Sequence, residues 1–221
     1  MIGSRPLPEN INPQNLKESL RSGIKFVFGN QIILSAISLD MFAVLFGGAV
    51  ALLPVFASDI LKTGPQGLGF LRAAPAVGSV LTAMAMAYYP IAVNAGKKML
   101  WCVAGFGACI LLFGLSTNFW FSMLLLALSG AFDSVSMIVR STLIHTFTPE
   151  YMKGRVSSVN SIFVGSSNEI GAFESGLTAK LMGTVPAVVF GGIMTLVVVG
   201  FTAFKADKLR TLDLTPEQEA A

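Results

Sequence analysis

The chain has 221 residues, 53% hydrophobic and 12% charged, with a net charge of +3 and a mean hydropathy of +0.71. An ordinary soluble domain carries about 25% charged residues, so this composition excludes a soluble globule, a disordered chain, a collagen and a coiled coil, and predicts a membrane protein. The scattered charge gives no footprint for nucleic acid, and Cys102 and Cys109 share one apolar run, so no disulfide framework is implied.

Residues 1–31 are polar, with Pro6, Pro8 and Pro13 near the start, and no apolar stretch follows a basic one as in a signal peptide. Within them, residues 14–29 read as a short amphipathic helix with Lys17, Arg21 and Lys25 every four residues. Such a helix is expected to lie on a membrane surface. Six apolar segments follow. Span one covers 32–56 and is closed by Pro54 and Ser58-Asp59. Span two covers 67–89, entered through Gly64-Pro65-Gln66-Gly67 and left at Pro90. From Met99 to Phe132 there are 34 positions without a charge. One helix that long would run roughly 50 Å, whereas the hydrocarbon core is about 30 Å thick. The run is therefore two spans, 99–115 and 120–143, divided at Ser116-Thr117-Asn118. Span five covers 156–176 and span six 184–204. The expected organisation is a linker with its amphipathic helix over 1–31, a six-span all-α bundle over 32–204, and a tail over 205–221. Strands are excluded by the length of the runs and the lack of alternation.

Lysine and arginine set the orientation. One side holds Arg5, Lys17, Arg21, Lys25, Lys97, Lys98, Lys153, Arg155, Lys205, Lys208 and Arg210; the other holds only Lys62 and Lys180. Both termini are expected in the cytoplasm.

Charges inside spans are costly and usually face a bundle interior or a wet path. Here they are Asp40 in span one, Arg72 in span two, Asp133 and Arg140 in span four, and Glu169 and Glu174 in span five. Spans three and six have none and are expected to face lipid all round. Asp40 and Arg140 fall at one level of the inner half and are candidates to pair. Asp133 and Glu169 fall near the midplane. Arg72 and Glu174 fall toward the outer ends and form a second candidate pair. Each of these residues has two readings, a structural ion pair locking the bundle or a group on a substrate and proton path; carboxyls at such depth are what a proton-coupled carrier requires. Ser157, Ser161, Gly165 and Glu169 repeat at four-residue spacing, which favours close helix packing. Pro75, and Gly47-Gly48, mark candidate kinks or hinges. His145 is the lone histidine, and no nucleophile elbow, phosphate loop or metal-ligand spacing occurs. No enzyme activity, metal or cofactor is expected.

The run TPEYMKGRV (148–156), followed by SSVNSIFVGSSNEIGAFESGLTA (157–179), resembles the cytoplasmic loop and eleventh helix of bacterial major facilitator superfamily transporters, in the subgroup of enterobactin exporters and drug-efflux permeases. DMFAVLFGGAVALLPVFASDIL (40–61) and GPQGLGFLRAAPAVGS (64–79) resemble helices seven and eight of that subgroup, and with FGLS (113–116) and the stretch around Asp133 and Arg140 the likeness covers nearly the whole chain. The resemblance implies the C-terminal six-helix half of a twelve-helix fold, in which the first and fourth helices of each half line a cavity, the second and fifth flank the interface, and the third and sixth face outward. It implies a multi-pass protein of the bacterial inner membrane that exports a small amphipathic molecule or siderophore by proton antiport with rocker-switch alternating access. Lipid, a small-molecule substrate, and an N-terminal six-helix half or a second copy are its implied partners. Lys153, Gly154 and Arg155 would belong to a loop that latches the cytoplasmic side, or would be ordinary positive-inside charge. Three features depart from the pattern: only Gly96-Lys97-Lys98 remains of a basic loop motif, Ala172 stands where an acidic residue is expected, and the likeness covers only the second six-helix half. The alternative function is a truncated non-transporting membrane protein or a regulatory partner of an intact permease.

Overall fold

The computed structural model describes residues 16–89 and 94–206. Most of the expected tail 205–221 and the first half of the linker lie outside them. Among the described residues the chain is a bundle of helices without a strand: α1 (Leu16–Gly29), α2 (Gln31–Phe46), α3 (Ala49–Val55), α4 (Pro65–Tyr88), α5 (Ala95–Leu115), α6 (Phe119–Phe147), α7 (Lys153–Met182) and α8 (Thr184–Lys205). Five helical stretches are long and apolar enough to cross a membrane: Gln31–Ile60, α4, α5, α6 and α8. α7 has the length but is too polar to join them. The all-α membrane bundle expected from composition is what the structure contains.

Local chemistry accounts for the boundaries. Asn30 separates α1 from α2, and its Oδ1 accepts from the amides of Ile32 and Ile33, the standard way to satisfy first-turn donors. Span one breaks at Gly47-Gly48: the Gly47 amide donates to Ala43 O, and the Ala49 amide turns back to Gly47 O. Pro54 does not close this span, contrary to expectation. It sits inside α3, and a π-helical turn over Phe56–Ile60 carries the helix on. Such a local adjustment re-satisfies backbone groups freed by an intramembrane proline. Pro65 opens α4 at its first position, where it loses no hydrogen bond. The split of the long charge-free run falls at Ser116-Thr117-Asn118 as expected. Asn118 Oδ1 caps α6 through the Phe121 amide, and Ser122 Oγ donates to Ser116 Oγ at 2.8 Å.

Glycines set the tightest packing. On α4 and α6, a Cβ on Gly78 would lie 1.8 Å from Ala127 O, and one on Gly130 would lie 2.1 Å from Pro75 O. The two backbones therefore touch, and Ser79 Oγ donates across the contact to Gly130 O at 2.8 Å. α5 and α8 do not face lipid all round, contrary to expectation. Gly107 rests on Thr195, Gly114 on Val188 and Val189, and Gly192 on the Leu111 backbone. Lacking charge, these helices gain by packing against each other, and only their outer faces remain exposed, with Trp101, Phe190, Ile193 and Phe201.

α1 packs against α7. Its apolar side is docked on protein: Val27 is fully buried with Val156, Val159 and Met152, and Gly23 sits against the Arg155 carbonyl. Lys17, Arg21 and Lys25 remain on its exposed face, beside Ile24 and Phe28.

Candidate functional site

Asp40 of α2 and Arg140 of α6 form a buried ion pair, Arg140 Nη1 donating to Asp40 Oδ2. They are 4% and 5% exposed. Ser136, one turn before Arg140, donates to the other carboxylate oxygen at 3.3 Å. The carboxylate thus has a partner for each oxygen, the condition under which a buried charge is tolerated.

Asp133 lies one turn further along α6, on the same face as Ser136 and Arg140 and within electrostatic reach of both Asp40 and Arg140. Among the described residues it has no ion-pair partner of its own. It borders a cavity of about 430 Å³ that opens where span one breaks. One wall is the break itself, with Val44, Gly47, Gly48 and Ala51. Pro75 and Ser79 of α4, Ser129 and Gly130 of α6, and Asn168 of α7 supply the rest of the polar and backbone surface. Phe106 of α5 reaches into the same space; a Cβ on Gly47 would meet its ring at 2.5 Å.

The break is clamped from the opposite side by small residues. A Cβ on Gly171 of α7 would lie 2.6 Å from Leu45 O, and one on Gly191 of α8 would lie 2.2 Å from Phe46 O. Gly48 in turn sits against Ser175 Oγ and the Gly171 carbonyl, and Thr195 Oγ1 donates to Ala43 O at 3.4 Å. Carbonyls released by the interrupted helix therefore abut the backbones of two neighbours. A larger side chain at either glycine would push the two half-helices apart.

The remaining sequence candidates separate. Arg72 is exposed on α4, and Glu174 of α7 accepts from Thr178 Oγ1 at 2.8 Å; the two form no ion pair with each other. Equal depth put them together, but they sit on helices that do not pack side by side. Glu169 is exposed on α7 and lies off the cavity wall, where its neighbour Asn168 stands instead. Lys153, Gly154 and Arg155 form the first turn of α7 and are not a loop, because Pro149 and a 3-10 turn over Glu150–Met152 start the helix early. Lys153 Nζ pairs with Glu150 Oε1 at 2.5 Å, and Arg155 Nη1 donates to Ser22 Oγ at 3.2 Å, tying α7 to α1. Sequence reasoning missed Ser79, Ser129, Ser136 and Asn168. Only Ser136, one turn from a buried arginine, carried a readable signal.

The profile of a transporter family described as transmembrane secretion effector matches residues 4–220. Among characterised proteins, the chain is 27% identical over 216 residues to an enterobactin exporter, EntS, of Escherichia coli O1:K1, covering 98% of this chain and 51% of that protein. The EntS of Shigella flexneri is 27% identical over 209 residues, covering 95% of this chain and 50% of its own length. The chain therefore spans about half the length of the curated relatives it matches. No solved structure matches it.

Proposed function

Because the chain belongs to the transmembrane secretion effector family of major facilitator transporters, we propose that it is the C-terminal half of a secondary carrier. The carrier exports a small amphipathic molecule, of siderophore or drug type, in exchange for protons. The relatives are named for export of enterobactin, and export is the direction carried over. The observation that bears most weight is the cavity at the broken span. It is bordered by Asp133, a carboxyl without an ion-pair partner among the described residues, and lies next to a carboxyl that has one, Asp40.

In this reading Asp133 receives the proton or a polar group of the substrate, while the Asp40–Arg140 pair holds α2 to α6 in the inner half of the membrane. The Gly47-Gly48 break supplies a bend in the cavity-lining helix, and bending there re-aims α3 without disturbing α2. The exposed faces of α4 and α7 meet the complementary half, across which access alternates. Lys and Arg concentrated at one end orient that end toward the cytoplasm of the bacterial inner membrane.

The test is proton-coupled transport in vesicles holding the complete carrier, with Asp133→Asn and Asp40→Asn compared with wild type. Loss of coupled transport in Asp133→Asn, with protein still in the membrane, is expected. Unchanged coupled transport in both variants removes these carboxyls from the mechanism.

A further inference from the structure

A second depression lies between the start of α5 and the end of α8, where Trp101 is exposed. It has a volume of about 330 Å³ and is lined by Lys97, Leu100, Trp101 and Ala104 of α5, with Val199 and Ala203 of α8. Positions 97, 100, 101 and 104 share one helical face. Ala104 and Ala203 are the smallest residues lining it. Its walls are apolar, and among the described residues that line it Lys97 is the one charge. Lys98 is exposed beside it.

Trp101 is 76% exposed at the same end. An indole with an apolar body and a polar N–H settles at the headgroup level of a bilayer. The lysines lie at the N-terminal turn of α5, where the helix macrodipole adds positive potential. An apolar slot that faces hydrocarbon, a tryptophan at the interface, and two ammonium groups above it match one molecule: a phospholipid with an anionic headgroup. Its acyl chain would occupy the slot and its phosphate would meet Lys97 and Lys98. A soluble anion would leave the apolar slot unused, and a zwitterionic lipid would gain less from the lysines.

The geometry points to a binding site for an anionic phospholipid between α5 and α8, at the end of the bundle that carries Lys97 and Lys98. The site shares no lining residue with the cavity at the break in span one.

The chain has two tryptophans, Trp101 and Trp120. Trp120 lies at the start of α6, at the opposite end of the bundle. Trp120→Phe therefore leaves Trp101 as the sole reporter, and Trp101→Phe leaves Trp120. Each variant, in the full chain, is reconstituted into bilayers holding either brominated phosphatidylglycerol or brominated phosphatidylcholine of the same acyl length. At equal lipid fraction, Trp101 is expected to report an association constant about fivefold higher for phosphatidylglycerol, the effect of one lysine near a membrane surface. Lys97→Gln with Lys98→Gln is expected to bring the ratio to about one, as is Ala104→Leu, which fills the slot. Trp120 is expected to report no such preference. Equal quenching by the two lipids at Trp101, a preference that survives the substitutions, or the same preference at Trp120 overturns the site.

Discussion

The Asp40–Arg140 pair gives an asymmetric prediction. Both side chains are about one-twentieth exposed, and Ser136 satisfies the second carboxylate oxygen. Asp40→Asn leaves the guanidinium without its hydrogen-bonded counter-charge, with only the unbonded Asp133 in electrostatic reach, and a guanidinium cannot shed its proton. Breaking a buried pair in this way costs about 3–5 kcal/mol. Arg140→Gln leaves a carboxyl, which can discard its charge by binding a proton and keep the Ser136 hydrogen bond. Its cost falls toward that of an unsatisfied buried polar group, about 1–3 kcal/mol. The double variant Asp40→Asn/Arg140→Gln puts two neutral amides in contact and is expected to recover most of the loss. The assay is a double-mutant cycle on unfolding free energy, followed by circular dichroism of the purified chain in mild detergent. The order expected is wild type, double variant, Arg140→Gln, then Asp40→Asn as least stable. Additive single effects, or Arg140→Gln as costly as Asp40→Asn, would refute the buried-pair argument, because either result means the charges are already solvated separately.

Four further expectations follow from packing and capping. Gly78→Ala and Gly130→Ala each drive a methyl into backbone between α4 and α6, at 1.8 and 2.1 Å; each should cost about 1–3 kcal/mol or more by overpacking, while Gly165→Ala, which meets nothing within 4 Å, should leave the thermal midpoint unchanged. Gly171→Val wedges the break in span one through Leu45 O, and should raise the labelling rate of a cysteine placed at Ala51 along with its stability cost. Asn118→Ala removes the cap on α6 and should lower stability by about 1 kcal/mol, read in the same unfolding assay. Gly23→Val pushes α1 from the Arg155 carbonyl and Val159, so limited trypsin digestion at Lys17, Arg21 and Lys25 should accelerate several-fold; an unchanged rate would mean α1 is not held there.

What could be read from sequence was whatever the bilayer penalises heavily. The turn at Ser116-Thr117-Asn118 was legible because a 34-residue charge-free helix overshoots the hydrocarbon core. Asp40 and Arg140 were legible as partners because two opposite charges at one depth must be neutralised. The same reasoning joined Arg72 to Glu174 and failed, because depth fixes a residue along the membrane normal but not around the bundle. Near the outer ends a charge can also reach water unaided, so nothing forced that pair to form. Ser79, Ser129 and Asn168 were illegible because hydroxyls and amides cost little to insert and occur in packing as often as in cavities. Glycine contacts such as Gly78 on Ala127 depend on which helices cross, information that a single sequence does not carry. Pro54 misled for a different reason: proline ends helices in water, but in lipid the backbone has no alternative partner, so the chain keeps its helix and absorbs the defect as a π turn.

The polarity of α7 follows from the same physics. The helix is 30 residues long, enough to cross any bilayer, yet it is the one membrane-length helix among the described residues that is too polar to cross on composition. Its exposed side carries Ser161, Gly165, Asn168 and Glu169 near the middle of its length, and Cβ atoms on Gly154, Gly165 and Gly176 would meet nothing. Those glycines recur every eleven residues, three helical turns, so they mark one continuous small-residue groove. Lipid tails would gain no more from that groove than from any other surface, and Glu169 in hydrocarbon would cost several kcal/mol. A surface of this kind is stable in a membrane only against another protein surface or against water. Both covers fit the proposed half-carrier: a close helix crossing at the glycines against a complementary half, and an aqueous path beside Asn168 and the cavity it borders.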